Sequence, residues 1–180
     1  MCLEKSVIAA VKSNEQLKTA CCSSASMVFD LAPSIKSVKS RTELCKSYGK
    51  PMFVHMDLVE GIGKDKAGLE FIKSCGVDGI ISTRASIIKL AKEIGLKTVQ
   101  RIFIIDSQSI ISATAILKIN PDMLEIMPGV VPRAIKEFNN VLSVPIIAGG
   151  LIETADDIEN AFSAGAAAVS TRLENLWNYR

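Results

Sequence analysis

The sequence predicts an α/β protein, a single (β/α)8 TIM barrel of minimal length spanning residues 1–180. Three observations carry this. Short apolar stretches alternate with helical ones eight times. The apolar stretches are hydrophobic on both faces, as parallel strands covered by helices must be. Late in the chain, a strand ending in Gly149-Gly150 and a strand ending in Ser170-Thr171 lie one helix apart. That is how such barrels build a phosphate pocket. No GxGxxG follows the first strand, which disfavours the open doubly wound alternative.

The elements follow in order. Ser6–Val11 is a β-branched apolar run, and Ser13-Asn14 caps the helix that reaches Cys22. Ser26–Ala32 is the second strand, closed by Pro33, and Ser34–Tyr48 the second helix, stopped by Gly49. Pro51–Leu58 is the third strand; Lys64–Cys75 is a helix ended by Gly76. Val77–Ser82 is a strand, Ala85–Ile94 a helix stopped by Gly95, and Lys97–Ile105 the fifth strand. Asp106-Ser107 starts a helix running to about Ile119. Met123–Met127 is the sixth strand, before Pro128-Gly129, and Val131–Asn140 the sixth helix. Val144–Gly150, Thr154–Ala164 and Ala167–Thr171 complete the alternation, and the chain closes with Arg172–Tyr179.

Composition bounds the function classes. Hydrophobic residues make up 48% and charged residues 22%, which is globular and not disordered. A net charge of +2 neither demands nor excludes a nucleic-acid partner. The five cysteines show no metal-ligand spacing and read as reduced thiols. No apolar run approaches bilayer length and Met1–Ser6 is not signal-like, so a cytoplasmic location and no membrane partner are expected.

Ligands of such barrels meet the C-terminal ends of the strands. Gly149 and Gly150 let the backbone approach an anion. Ser170 and Thr171 are expected to open a last short helix and offer its unpaired N–H groups. Glu125 is a charge within an apolar strand and needs a partner, with Arg101 on the preceding strand the natural one. Asp57 and Glu60 suit a polyol. Lys12, His55 and Arg84 also stand near strand ends. No metal site is expected. Carboxylates alone are weak evidence for catalysis, and no lysine lies within a strand beyond Lys97 at its start.

Longer stretches carry a resemblance. His55-Met56-Asp57-Leu58-Val59-Glu60-Gly61-Ile62-Gly63-Lys64-Asp65, Asp78–Thr83, Gln100–Phe103, Pro121–Pro132 with its Glu125-Ile126-Met127-Pro128-Gly129-Val130-Val131-Pro132, and Pro145–Ile152 through Ser170-Thr171 resemble the glycerol-3-phosphate-responsive antiterminator family, the glycerol uptake operon antiterminators of Gram-positive bacteria. The resemblance implies a regulator that binds glycerol 3-phosphate as effector, with no cofactor, and then binds leader mRNA of glycerol-catabolism operons to prevent termination. Carried over by position, Gly149, Gly150, Ser170 and Thr171 hold the phosphate. Asp57, Glu60, Arg101 and Glu125 are candidates for the glycerol end.

An RNA partner would be met by basic side chains, of which Lys36, Lys39, Arg41, Lys64 and Lys66 form the densest run, although a solvated helix face explains them too. Leu173, Leu176 and Trp177 are free to cover the barrel or a partner in a homodimer. The alternative is a TIM-barrel enzyme acting on a small phosphorylated polyol or sugar, of isomerase or glyceryl-phosphate transferase type.

Overall fold

The structure, a computed structural model, describes residues 3–105 and 118–179. Its strands are β1 (Ser6–Val11), β2 (Met27–Asp30), β3 (Met52–His55), β4 (Gly79–Ser82), β5 (Lys97–Phe103), β6 (Met123–Met127), β7 (Ile146–Gly149) and β8 (Ala168–Thr171). All pair in parallel in chain order, and β8 pairs back onto β1 through Ile8 and Ser170 to close the barrel. The helices described are α1 (Asn14–Cys22), α2 (Val38–Ser47), α3 (Lys66–Ser74), α4 (Ala85–Glu93), α5 (Pro132–Val141) and α6 (Ala155–Ser163). The helix expected from Asp106 lies outside the described residues except for its helical end at Lys118-Ile119.

Period-2 alternation divides the strand side chains between two cores. Ile8, Ala10, Met27, Phe29, Phe53, Ile81, Val99, Met123, Ile147 and Ala168 fill the barrel, where Phe29 and Phe53 meet as tilted rings 6.0 Å apart. Val28, Val54, Ile80, Leu124, Ala148 and Val169 face outward against Leu17, Leu69, Ile72, Ile88, Phe138 and Ile158 of the helices. Three of the described helices start on a side-chain cap. The Ser13 hydroxyl accepts from the Gln16 amide, and Thr154 with Asp157 forms a reciprocal capping box on α6. Gly49, Gly76, Gly95 and Gly165 all take the left-handed backbone that ends helices.

Three elements differ from the sequence expectation. The second helix begins at Val38 and not at Ser34, which instead bridges Glu60. The third strand ends at His55, and Met56–Leu58 turns as one 3-10 helix, because the Asp57 carboxylate is drawn to the following strand loop. Ser170 and Thr171 do not open a helix. They belong to β8, laddered against Ile8 and Ala9, and the final 3-10 turn begins only at Glu174.

Candidate functional site

The same alternation that puts Ile8, Phe53, Val99, Met123 and Ala168 inside the barrel puts polar residues one step further along, at its C-terminal mouth. Arg101 and Glu125 are register partners on β5 and β6. Arg101 Nε donates to Glu125 Oε2 at 2.6 Å, with the carboxylate fully buried. The Ser170 hydroxyl on β8 donates to Glu125 Oε1 at 2.7 Å. Both carboxylate oxygens therefore have partners, which is what an ionised group at this depth requires.

Between Glu125 and Ser170 runs β7, and it passes them with Gly149. A Cβ there would lie 2.5 Å from Glu125 Oε1 and 2.7 Å from Ser170 Oγ. The glycine expected to expose backbone to an anion thus clears the path for a side-chain hydrogen bond across the strand. Gly150 does form part of the cavity wall. Its φ is +75°, and Leu151 after it is also left-handed at +60°. A leucine there carries backbone strain. The turn is held from both sides. Gly129 N donates to the carbonyls of Gly149 and Gly150, and Thr171 Oγ1 donates to the Ile152 carbonyl at 2.8 Å. Gly129 owes its identity to this packing, since a Cβ would sit 2.7 Å from Gly149 N.

A cavity of about 690 Å³ opens over this floor. Arg101, Glu125, Ser170 and Thr171 supply its depth, Lys12 and Arg172 stand as cations at its edge, and Gly150–Glu153 form one wall. Six of the candidate residues are thus brought together: Lys12, Arg101, Glu125, Gly150, Ser170 and Thr171. Arg172, Leu151, Ile152 and the Met127-Pro128 turn were missed. Arg172 had a usable signal, because it stands two positions after Ser170 and so shares its face.

The other candidates are placed elsewhere. Asp57 accepts from the Ser82 hydroxyl (2.8 Å), the Thr83 amide (2.7 Å) and the Thr83 hydroxyl (2.9 Å), and so fastens the loop after β4. Burial pushes its pKa up, but those three hydrogen bonds outweigh burial and hold it below the ordinary aspartate value. Arg84 lies 3.7 Å from the same carboxylate, with its side chain more than half exposed. Glu60 is exposed, and its backbone pairs with the loop after β2 through Pro33 and Ile35. His55 lies in β3, 3% exposed, with Nδ1 buried and unpartnered. Burial first, then the Arg101 charge, lowers its pKa to about 4, so the ring is neutral at pH 7.

Arg41 leaves the basic run. It is buried and binds Asp30 through Nε at 2.8 Å and Nη2 at 2.9 Å, locking α2 to β2. Trp177 is fully buried within the chain, and its indole N–H donates to the Thr171 carbonyl at 2.9 Å. Among the described residues, no cluster of three or more His, Cys, Asp or Glu side chains is placed to hold a metal ion, and no helix is long and apolar enough to cross a membrane.

Comparisons with known proteins show the fold and the family. The crystal structure of the glycerol uptake operon antiterminator regulatory protein from Listeria monocytogenes matches at 32% identity and a TM-score of 0.90, over 97% of this chain and 96% of that one. A glycerol uptake operon antiterminator-related protein from Thermotoga maritima matches at 30% identity and a TM-score of 0.86, over 97% and 98%. An uncharacterised Escherichia coli protein, YgcP, is 36% identical over 173 residues, 95% of this chain and 91% of that protein. The model of the glycerol-3-phosphate responsive antiterminator family matches residues 7–177, and the chain belongs to that family.

Proposed function

We propose that this chain is a cytoplasmic antiterminator that senses glycerol 3-phosphate at the barrel mouth and binds the leader mRNA of glycerol-catabolism operons. The observation that carries this reading is the cavity itself. A floor of buried hydrogen-bonding groups (Arg101, Glu125, Ser170) meets a glycine turn at Gly150 and two edge cations, Lys12 and Arg172. That combination suits a dianion attached to a short polyol.

In this assignment the phosphate lies against Gly150, Ser170 and Thr171, with Lys12 and Arg172 neutralising it. The glycerol hydroxyls lie over Arg101 and Glu125, whose hydrogen bonds keep both side chains fixed before the ligand arrives. Asp57 and Glu60 are left out of the glycerol end, since their contacts lie outside the cavity. RNA phosphates are met by exposed cations, among which Lys36, Lys39, Lys64 and Lys66 remain once Arg41 is buried. The effector acts by binding one of two conformations of the protein more tightly than the other.

The test is leader-RNA binding measured with and without glycerol 3-phosphate at several salt concentrations. The expected result is tighter RNA binding with the ligand present and a salt-dependent affinity. RNA binding absent in both states, or turnover of glycerol 3-phosphate, overturns the reading.

A further inference from the structure

We propose that the barrel-mouth cavity takes a glycerol phosphate whose far hydroxyl carries an apolar group, such as a short acyl ester, in preference to bare glycerol 3-phosphate. The proposal rests on the placement of phosphate and glycerol given above. It starts from a mismatch of size and character. The cavity measures about 690 Å³, within the range of about 300–1,000 Å³ that encloses a drug-sized ligand, so a three-carbon polyol phosphate fills only its inner part.

The unfilled part is apolar. Leu31, Leu58 and Phe103, from the ends of β2, β3 and β5, line it, with Leu58 49% and Phe103 53% exposed. Isolated exposed apolar side chains need no explanation, but several lining one cavity away from its polar floor do.

The order of groups around the mouth fixes which end of the ligand meets that wall. Phosphate lies on the β7–β8 side and the hydroxyls over Arg101 on β5. Phe103 is two residues beyond Arg101 on the same strand, so it extends the same face toward the opening. Leu58, from the turn after β3, also lines the cavity. A substituent on the hydroxyl farthest from the phosphate therefore runs from Arg101 onto Phe103 and Leu58.

A small amphiphile accounts for the polar floor and the apolar wall together, because both belong to one cavity. A macromolecule resting on the mouth would cover the wall and leave the volume beneath it unfilled.

Calorimetry on the full chain compares sn-glycerol 3-phosphate with its 1-hexanoyl ester, held below its aggregation concentration. The ester is expected to bind at least about tenfold more tightly, the gain from burying a few methylenes. A Phe103→Thr/Leu58→Ser double variant is expected to erase that gain while leaving glycerol 3-phosphate within about twofold, because it removes none of the polar groups of the floor. An ester that binds no tighter than glycerol 3-phosphate overturns the amphiphile and leaves the effector reading standing. An advantage that survives the double variant also overturns it. Binding of the ester alone supports the amphiphile and removes glycerol 3-phosphate as effector. Failure of both ligands to bind overturns both readings.

Discussion

The Ser170 hydroxyl reaches Glu125 Oε1 at 2.7 Å by crossing strand β7 at the one residue that has no side chain, Gly149. With Arg101 on the other carboxylate oxygen, a buried polar chain links β5, β6 and β8 beneath the cavity. Its geometry is fixed by the backbone, so it is available before any ligand binds.

Gly149→Ala is expected to break this chain, because its Cβ would fall 2.5 Å from Glu125 Oε1. The unpaired carboxylate oxygen should cost about 1–3 kcal/mol of stability. Ser170→Ala leaves the same oxygen unpaired, so the two substitutions should be strongly non-additive. Chemical denaturation of both single variants and the double variant measures the coupling. Additive effects would disprove the crossing as the reason for the glycine.

Arg101 and Glu125 should behave as a unit. Glu125→Ala strands a buried guanidinium and is expected to destabilise by about 3–5 kcal/mol, whereas replacing both with apolar residues of similar volume should cost far less. Thermal melts of Glu125→Ala and of Arg101→Met/Glu125→Leu decide this. The double variant should nevertheless lose ligand binding, since both hydrogen-bonding partners of the glycerol end are gone.

His55 should impose a pH dependence on stability. Its folded pKa lies at about 4, below the ordinary value of 6.5. The unfolded chain takes up the proton first as pH falls, so the neutral ring's contribution is complete above pH 6.5. It is lost progressively as pH falls from 6.5 to 4. The shift corresponds to the order of 3 kcal/mol. His55→Gln should flatten the stability profile in that window. Asp57, whose pKa is also lowered, acts in the same direction but in a lower pH window. Its stabilisation is present above its unfolded pKa of 3.8 and is lost at lower pH, which separates the two.

Asp57→Asn should weaken the fold and spare the ligand. The amide cannot accept all three hydrogen bonds from Ser82 and Thr83 with full strength, and a loss of about 1–3 kcal/mol is expected. Glycerol 3-phosphate affinity should stay near that of the parent protein. A large loss of affinity with unchanged stability would place Asp57 in the site after all.

Gly150→Asp should abolish glycerol 3-phosphate binding. It adds a like charge to the wall assigned to the phosphate, and a Cβ there meets Met127 Cε at 2.6 Å. Titration of the folded variant provides the measurement. Unchanged affinity would remove Gly150 from the phosphate site.

Local signals made most of the barrel readable. Strands at Ser6–Val11 and Met123–Met127 and the helix Asn14–Cys22 have the expected bounds, because β-branched runs, caps and C-terminal glycines act over a few residues. The third strand reads as running through Leu58, since the pull of Ser82 on Asp57 comes from 25 residues downstream. The Arg101–Glu125 pairing was legible because neighbouring parallel strands limit the choices for a buried carboxylate.

Other assignments needed the closed barrel. Asp30, Asp57 and Glu125 are all acidic residues at or near strand ends, yet Asp30 faces outward to Arg41, Asp57 fastens a loop, and only Glu125 lines the cavity. The order of residues is enough to specify the eight-strand alternation, the family motifs and which chemistry stands at each strand end. The tertiary structure alone decided which of those groups share a face and which meet across intervening strands. The reason is physical: periodicity is a property of neighbouring residues, whereas register and closure bring together groups such as Ser170 and Glu125, which are 45 positions apart.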